Sequence, residues 1–401
     1  MQQFDIIIIG GGIIGATLAC ALGREGVPVA MLEARELPLI DEHEREPRVY
    51  AISRASERIL TNLSVWDALA ESGHPFQKMH VWDAGGSGEI DFDCAALGEP
   101  FLGHILEPRR IQAAVLEGAQ ALPSVSLFCP ARFSDLRVVD ERAEVVLDDG
   151  TVLAGSLVIG ADGARSPVRE WFRIPVGVHD YHQSSLVAAV LTEQHHGDTA
   201  WQRFLPGGPL AFLPMAEGWC SIVWTLPESE IDAVLALDRH DFHAALGEAF
   251  DHRLGSIVDS GSRESWPLRR LHAEHYVRER VALAGDAAHA IHPLAGQGVN
   301  LGLLDAAALA EVILAARSQR KDPGSLPVLR RYERWRRGDN LMMMSAMDAF
   351  NLLFSNSTPA LRWTRNLGLS LMDKASPAKD TLMRHAMGLA GDLPQLARPV
   401  V

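Results

Sequence analysis

The feature of this 401-residue sequence that most constrains its fold is a glycine-rich turn close to the N-terminus. Apart from Asp5, residues 4–9 are apolar and mostly β-branched, which is typical of a parallel strand that is buried on both faces. The turn, residues 10–15, reads Gly-Gly-Gly-Ile-Ile-Gly, and residues 16–25 have helical character. Residues 28–32 then predict a second strand, which ends at Glu33.

Each glycine of the turn has a physical role if the unit binds a dinucleotide. Gly10 permits the tight turn, Gly12 lets the backbone approach a pyrophosphate, and Gly15 lets the helix pack closely on the strand. The pyrophosphate would lie at the helix N-terminus, where free N–H groups and the helix dipole favour anions. Glu33, about twenty residues further on, is placed to accept a hydrogen bond from a ribose hydroxyl. The order of strand, turn, helix, strand and acid predicts a dinucleotide site without distinguishing FAD from NAD.

Two later glycine–aspartate motifs favour FAD. Asp162-Gly163 and Gly285-Asp286 each follow the end of an apolar strand, and a loop at residues 293–300 precedes a helical stretch at 301–317. Asp286 is placed to accept a hydrogen bond from a ribityl hydroxyl, and the loop leaves a helix N-terminus free to face the flavin ring. The dipole there would stabilise the negative charge of a reduced flavin. The residues expected near the ring or in contact with FAD are Pro293, Gly296, Gly298 and Asn300.

At these motifs the chain resembles the group A flavoprotein monooxygenases, which are single-component FAD hydroxylases. Further stretches are similar to the ubiquinone-biosynthesis hydroxylase branch, and the similarity extends along essentially the whole chain. These stretches are residues 48–56, 81–83, 103–107, 200–204, 208–214, 292–302, 330–334 and 386–394. Residues 81–83, 249–255 and the tail look closest to the enzymes that act at ring carbon 5 of a polyprenylphenol.

The resemblance implies an α/β fold of the p-hydroxybenzoate hydroxylase type. A Rossmann-like FAD-binding domain is expected at residues 1–75, 100–180 and 270–325. An antiparallel-sheet substrate domain is expected at residues 76–99 and 181–269, and a helical C-terminal region at residues 326–401.

The resemblance also implies a mechanism in which NAD(P)H reduces bound FAD and O2 is the co-substrate. A flavin C4a-hydroperoxide would then transfer oxygen to an electron-rich phenol ring, so no side-chain nucleophile is expected. Arg48 is carried over as a contact of the ribityl or pyrophosphate, with a solvated loop charge as the alternative. Pro108-Arg109 departs from the family's usual Asn after the Glu, and Arg109 is the better candidate for the flavin-ring contact there. Candidate substrate residues, for which a core role stays open, are Tyr181, Gln183, Phe204, Phe212 and Pro214.

Composition limits the partners and the compartment. The formal net charge of -14 argues against nucleic acid, which needs a basic field. The four cysteines form no C-x-x-C pair, so we expect a reduced protein without disulfides or a metal site. Residues 6–23 are apolar, but Asp5 precedes them and glycines interrupt them. We find no other segment that is long and apolar enough to span a bilayer, and expect a soluble, cytoplasmic protein.

The C-terminal region leaves two interpretations open. Five arginines precede a methionine-rich stretch, and its apolar residues recur at helical spacing. The set comprises Arg330, Arg331, Arg334, Arg336 and Arg337, followed by Met343, Ala346, Met347, Phe350, Leu353 and Phe354. Core methionines beneath a solvated basic face are favoured, and a peripheral contact with anionic lipid or a lipid carrier at the inner face of the membrane is the alternative.

Three functions therefore remain. The first is hydroxylation of a polyprenylated phenol or quinol, and the second is hydroxylation of a small soluble aromatic acid. The third is a flavin-binding scaffold of a biosynthetic complex, and a homo-oligomer is also left open. His289 and His292 flank the second motif, where local hydrogen bonding is favoured over acid–base catalysis. His195-His196 is expected to be a surface turn.

Overall fold

The chain folds into an α/β arrangement in which a parallel sheet is interleaved with a larger, mostly antiparallel sheet, which confirms the expected fold class. The computed structural model describes residues 1–37, 45–291, 298–355 and 376–399. The strands are β1 (Gln2–Gln3), β2 (Ile6–Ile9), β3 (Val29–Leu32), β4 (Tyr50–Ser53), β5 (His74–Phe76), β6 (Lys78–Asp83), β7 (Glu89–Asp93), β8 (Gly103–Leu106), β9 (Val125–Phe128), β10 (Phe133–Val139), β11 (Arg142–Leu147), β12 (Val152–Gly155), β13 (Leu157–Gly160), β14 (Val176–Thr192), β15 (Thr199–Leu205), β16 (Gly208–Pro214), β17 (Trp219–Pro227), β18 (Ile257–Ala273), β19 (Val277–Arg278), β20 (Val281–Leu283) and β21 (His289–Ala290). The helices are α1 (Ile13–Arg24), α2 (Arg54–Asn62), α3 (Asp67–Ala70), α4 (Pro108–Gln120), α5 (Pro167–Trp171), α6 (Glu228–Leu235), α7 (Arg239–Ala249), α8 (Gly298–Ser318), α9 (Leu326–Ser355) and α10 (Ser376–Ala386).

The parallel sheet brings the three sequence motifs to one edge. Its strand order is β19-β20-β13-β2-β3-β9, and every pair from β20 to β9 is parallel. In the register of β2, β13 and β20, Ile9 lies beside Gly160, and Gly160 lies beside Leu283. Because parallel strands end at the same edge, the loops that follow these three strands are neighbours.

The larger sheet has two differently covered faces. Its order is β21-β18-β14-β17-β16-β15-β6-β7, and of these pairs only β6 with β15 is parallel. Strands β14 and β17 pair antiparallel in this sheet, with Ser185 opposite Thr225. Helices α6 and α7 cover one face, where Phe242 and Leu246 pack into the sheet's core. The other face meets the small β4-β8-β5 sheet through Leu213 and Met215.

One expectation about membrane-spanning segments was wrong. Helix α8 is long and apolar enough to cross a membrane by length and composition, with a hydropathy of 1.8. In this fold 83% of that window is buried inside the protein, against α1, α2 and α9. An alanine-rich helix that is covered on nearly all sides needs apolar residues around its whole circumference, which produces the same composition as a membrane span.

The basic cluster of α9 divides between the surface and the core. Arg330, Arg331 and Arg334 are exposed, as a solvated face requires. Arg336, by contrast, is only 2% exposed, so its assignment to that face was wrong. Of the methionine-rich stretch, Met343 and Met347 are half-buried, and the side chains of residues 350–354 lie outside the described part.

Candidate cofactor site

The glycine-rich turn leaves open space in front of helix α1. Gly10 has a φ of +113°, and a Cβ added there would lie 2.3 Å from the carbonyl oxygen of Ala161. At Gly15 an added Cβ would lie 1.9 Å from the carbonyl oxygen of Gly10. Gly12, the N-cap of α1, is different, because an added Cβ would meet nothing within 4 Å. The turn is therefore tight on its inner side and open on the outer side, where a pyrophosphate would fit.

The N-terminus of α1 is suited to an anion. Its N-cap makes no side-chain hydrogen bond, and its first turn contains no acidic residue. The backbone N–H groups of a first helical turn have no partner within the helix, and the dipole adds a partial positive charge. A phosphate group would satisfy both.

Glu33 lies at the end of β3 beside this turn. Its Oε2 accepts a hydrogen bond from the backbone N–H of Gly11 at 2.9 Å, and its Oε1 accepts one from the N–H of Arg35 at 2.9 Å. Two backbone donors thus fix the carboxylate. A carboxylate has about four acceptor positions, so capacity remains for a ribose hydroxyl.

Asp162 offers the clearest sign of a missing donor. Its Oδ2 accepts a hydrogen bond from the N–H of Val168 at 3.0 Å, but its buried Oδ1 has no hydrogen-bond partner. Burial raises the pKa of this carboxyl, and the Ser166 hydroxyl and nearby backbone N–H groups act in the opposite direction. A buried, unpaired acceptor costs free energy, and a cofactor hydroxyl would remove that cost.

Arg169 joins the two glycine–aspartate loops, a role that sequence reasoning missed. Its buried guanidinium donates from Nη1 to the carbonyl oxygen of Ala287 at 2.9 Å and from Nη2 to that of Ala164 at 2.8 Å. One side chain therefore bridges the loop after β13 and the loop after β20. The only sequence signal is its place at the start of α5, which indicates no such bridge.

Asp286 faces a concave part of the surface. Its side chain is accessible to solvent, yet protein surrounds it closely enough that burial raises the pKa of its carboxyl. The charges of His289 and Arg48 lower this pKa in part, so Arg48 lies within electrostatic reach. The Arg48 guanidinium also stacks at 5.0 Å from the ring centroid of Tyr50 and 5.7 Å from that of Trp266. The fold thus brings Arg48 to the second motif.

The side-chain amide of Asn300 is engaged within the protein, and a contact of this residue with FAD stays a prediction. Its Oδ1 accepts hydrogen bonds from the Ser53 N–H at 2.9 Å and the Ser56 hydroxyl at 2.7 Å, and its Nδ2 donates to the carbonyl oxygen of Ala51 at 2.8 Å. The side-chain amide therefore ties the start of α8 to β4 and α2. Gly298 begins α8, and an added Cβ there would meet nothing within 4 Å. Pro293, Gly296 and His292 lie outside the described residues.

Arg109 is held by a carboxylate. It lies at the second position of α4, where its Nε is 2.6 Å from Oε1 of Glu46. Its backbone N–H donates a hydrogen bond to Oε2 of Glu46 at 3.1 Å. A cavity of about 370 Å³ near the start of α4 is lined in part by Arg45, Glu107 and Arg110. The flavin contact assigned to Arg109 stays a prediction.

The candidate substrate residues are dispersed over both faces of the large sheet. The Tyr181 hydroxyl donates to Asp348 of α9, and Gln183 Nε2 donates to the carbonyl oxygen of Gly207 at 2.8 Å. Phe204 packs with Val81 and Ile90.

The ring of Phe212 lies in the apolar core beneath α6 and α7, which favours a core role. Its ring is 0% exposed and stacks on Phe250 at 3.7 Å between ring centroids, on the face covered by α6 and α7. Pro214 is also buried and, by the alternation of a strand, shares that face. The sequence carried no signal for which face of β16 meets the substrate.

Three side chains near β15 have the geometry of a metal cluster. Potential ligand atoms of His74, His196 and Asp198 lie within 4.8 Å of one another. However, His196 Nδ1 accepts a hydrogen bond from the Asp198 N–H at 3.1 Å, and its Nε2 donates to the carbonyl oxygen of Met215 at 3.0 Å. Burial lowers the pKa of His196 to about 4. Both ring nitrogens are used, so this is a hydrogen-bonded turn in which His195 is exposed and His196, against expectation, is buried.

A buried polar cluster lies behind the Gly285-Asp286 loop. His289 Nε2 is 2.5 Å from Oδ2 of Asp305, and Arg336 Nε donates to Oδ1 of Asp305 at 2.9 Å. All three side chains are buried. His289 is therefore a local hydrogen-bonding residue, as the sequence favoured, while Asp305 and Arg336 were missed.

Comparison with known proteins identifies relatives along the whole chain. Residues 3–338 match the family described as an FAD binding domain. The 3-demethoxyubiquinol 3-hydroxylase of Escherichia coli K12 is 40% identical over 97% of this chain and 99% of its own length. Ubiquinone hydroxylase UbiL of Rhodospirillum rubrum is 38% identical over 99% of this chain and 93% of its own, and the human mitochondrial ubiquinone biosynthesis monooxygenase COQ6 is 33% identical over 96% and 92%.

Solved structures share the fold at lower identity. The p-nitrophenol 4-monooxygenase PnpA of Pseudomonas putida DLL-E4 superposes with a TM-score of 0.79 at 21% identity, covering 96% of this chain and 99% of that one. HpxO of Klebsiella pneumoniae, in complex with FAD and uric acid, superposes with a TM-score of 0.74 at 20% identity, covering 97% and 98%.

Proposed function

This chain belongs to the ubiquinone-biosynthesis hydroxylases, FAD-dependent aromatic-ring monooxygenases, and we propose that it hydroxylates the ring of a polyprenylated phenol or quinol. The observation that carries the proposal is similarity to ubiquinone hydroxylases over 97% of the chain at 40% identity. Bound FAD would couple the oxidation of NAD(P)H to the insertion of one oxygen atom from O2. The protein's own task is to bind, orient and shield.

We assign the cofactor to the edge where the three loops meet. The pyrophosphate would bind at the N-terminus of α1 beside Gly12, and Glu33 would accept a hydrogen bond from a ribose hydroxyl. Two features of the residues fit FAD: the open side of Gly12 and the unpaired, buried Oδ1 of Asp162. Asp286 would accept a hydrogen bond from a ribityl hydroxyl, and Arg48 provides a positive charge near Asp286. The first turn of α8, whose backbone N–H groups have no partner within the helix, would face the flavin ring.

The ring position is the finer part of the proposal. The motifs at residues 81–83 and 249–255 favour carbon 5, whereas the relative with 40% identity is named for a 3-hydroxylation of demethoxyubiquinol. Mass spectrometry of quinone intermediates in a strain that lacks this protein distinguishes the two. Carbon 5 chemistry predicts accumulation of a polyprenylphenol that lacks its first additional ring oxygen. Accumulation of a demethoxyubiquinol would instead assign the later step.

Substrate stimulation of NAD(P)H oxidation separates the proposal from its two alternatives. A prenylated phenol should accelerate oxidation, and 4-hydroxybenzoate should not. Acceleration by the small acid alone would indicate a hydroxylase of soluble aromatics. A flavin-containing protein that responds to neither compound would be a scaffold.

We also propose that the exposed face of α9 contacts a membrane surface or lipid carrier. A helix advances about 100° per residue, so Arg330, Arg334, Leu341 and Met342 fall on one side of it. Leu341 is 39% exposed and Met342 is 56% exposed, and Arg331 lies on the same side. A stripe with basic residues at one end and apolar residues at the other suits an anionic lipid interface, from which a polyprenyl substrate would come.

A further inference from the structure

The carboxylate of Asp305 is an unusually saturated acceptor in the described part of the chain. Its Oδ2 accepts the N–H of Gly285 at 3.2 Å and lies 2.5 Å from His289 Nε2. Its Oδ1 accepts Arg336 Nε at 2.9 Å and Asn340 Nδ2 at 3.2 Å. Four donors from two segments, the loop from Gly285 to His289 and helix α9, fill the acceptor positions of one buried carboxylate.

Two of these donors flank the residue that faces the cofactor edge. Gly285 directly precedes Asp286, and His289 lies three residues after Asp286. Gly285 and His289 both bind Oδ2 of Asp305. Gly285 has a φ of +61°, a left-handed conformation that glycine adopts without strain, and this turn directs Asp286 away from Asp305. Asp305 thus closes the loop from behind while Asp286 faces outward.

Arg336 extends this clamp to the C-terminal helix. Besides Asp305, its guanidinium donates to Asn340 Oδ1 at 3.0 Å and to Asp339 Oδ2 at 3.1 Å. Removing an ion pair from water is costly, and an apolar pair of similar volume is often equally stable or more stable. Stability alone is therefore a weak reason for an arginine that is 2% exposed.

We propose that Asp305 and Arg336 are positioning residues for the cofactor site. Arg336 on α9 orients the Asp305 carboxylate, and Asp305 holds the Gly285–His289 loop so that Asp286 presents its carboxylate to the cofactor. The packing of α9 against α8 is thereby coupled to cofactor affinity. This inference rests on the proposed assignment of Asp286 to FAD.

The test compares two buried arginines. Arg280 is 4% exposed and donates to the carbonyl oxygen of Ser156 at 3.1 Å and to Asp322 at 2.7 Å, at the opposite end of β20 from the loop. Arg336→Met should raise the Kd of FAD about tenfold, because the loss of one charge-assisted hydrogen bond is transmitted to Asp286. Arg280→Met should lower the melting temperature but leave the Kd within about twofold of wild type.

Two further variants keep the proposal testable if Arg336→Met folds poorly. Arg336→Lys retains the charge and should keep the Kd within about threefold of wild type. Asn340→Leu removes one donor to Asp305 and one acceptor of Arg336, and it should raise the Kd about threefold. The Kd is measured by the recovery of FAD fluorescence on dissociation from the holoprotein. The midpoint potential of the bound flavin should fall in Arg336→Met and not in Arg280→Met, because only the former removes a positive charge beside the site.

Equal effects of Arg336→Met and Arg280→Met on the Kd and potential would overturn the proposal, since they would indicate general destabilisation. An unchanged Kd in Asn340→Leu and Arg336→Met would do the same. Failure of the wild-type protein to retain FAD would refute the cofactor assignment itself, which is a separate outcome.

Discussion

Substitution of Gly12 by alanine isolates cofactor binding from folding. Gly12 has φ and ψ of -70° and -178°, an extended conformation that any residue adopts. An added Cβ would meet nothing within 4 Å. The free energy of unfolding without cofactor should therefore change by less than about 0.5 kcal/mol.

The magnitude follows from the place of that Cβ. It would enter the open space in front of α1, where the pyrophosphate must approach the backbone. Displacing a phosphate weakens one or two charge-assisted hydrogen bonds, each of about 1.5–3 kcal/mol. A loss of about 3 kcal/mol corresponds to a Kd for FAD that is roughly 100-fold higher.

The assay is fluorescence titration of the apoprotein with FAD, combined with thermal unfolding in its absence. Gly338→Ala is the matched control, because Gly338 is exposed in α9 and an added Cβ also meets nothing within 4 Å. It should stabilise the helix by about 0.5–1 kcal/mol and leave the Kd unchanged. If Gly12→Ala binds FAD as tightly as wild type, the pyrophosphate does not lie at the N-terminus of α1.

Four other outcomes can be measured. Burial alone would raise the pKa of Asp305, but the charges of His289 and Arg336 and their hydrogen bonds lower it from 3.8 to about 2. Its ionised form therefore stabilises the fold above pH 3.8, and about 2 kcal/mol of the free energy of unfolding is lost as the pH falls toward 2. In urea unfolding, Asp305→Asn should not show this loss. The same pH dependence in the variant and in wild type would contradict the role of Asp305. Phe212→Ala should lower the free energy of unfolding by about 3–5 kcal/mol in chemical unfolding and leave FAD affinity unchanged. A selective loss of substrate turnover would indicate that Phe212 lines the substrate pocket. One equivalent of Zn²⁺ should not shift the melting temperature, because both nitrogens of His196 are engaged, and a clear rise would argue for a metal site. The exposed arginines of α9 are Arg330, Arg331 and Arg334. Replacing them by glutamine, with Arg336 left intact, should weaken the free energy of binding to anionic vesicles by about 1 kcal/mol per residue, as measured by co-sedimentation. Unchanged binding would show that these arginines form an ordinary solvent-exposed surface.

Local spacing was enough to predict the parts of the site that follow strand ends. The turn at residues 10–15 and both glycine–aspartate motifs come directly after buried strands, and the fold places those strands side by side. Parallel pairing makes such loops neighbours, so their order along the chain already implied their proximity.

Contacts between distant helices had no such signal. Arg336 and Asp305 are separated by 31 residues, and only the packing of α9 on α8 brings them together. By sequence, Arg336 was one basic residue in a cluster of five. The side-chain contacts of Asn300 had no sequence signal for a related reason, since its partners Ser53 and Ser56 lie 244–247 residues earlier. The face of β16 occupied by Phe212 depends on which side α6 and α7 cover, and the strand pattern does not specify this.

We infer that this chain inserts an oxygen atom from O2 into the ring of a polyprenylated phenol. The direct measurement is turnover of a short-chain prenylated phenol with NAD(P)H and FAD under heavy-isotope O2, followed by mass spectrometry of the product. We predict one heavy oxygen atom per product molecule and one NAD(P)H oxidised for each. A product oxygen that comes from water, or NAD(P)H oxidation that yields only peroxide whatever phenol is supplied, would contradict the claim.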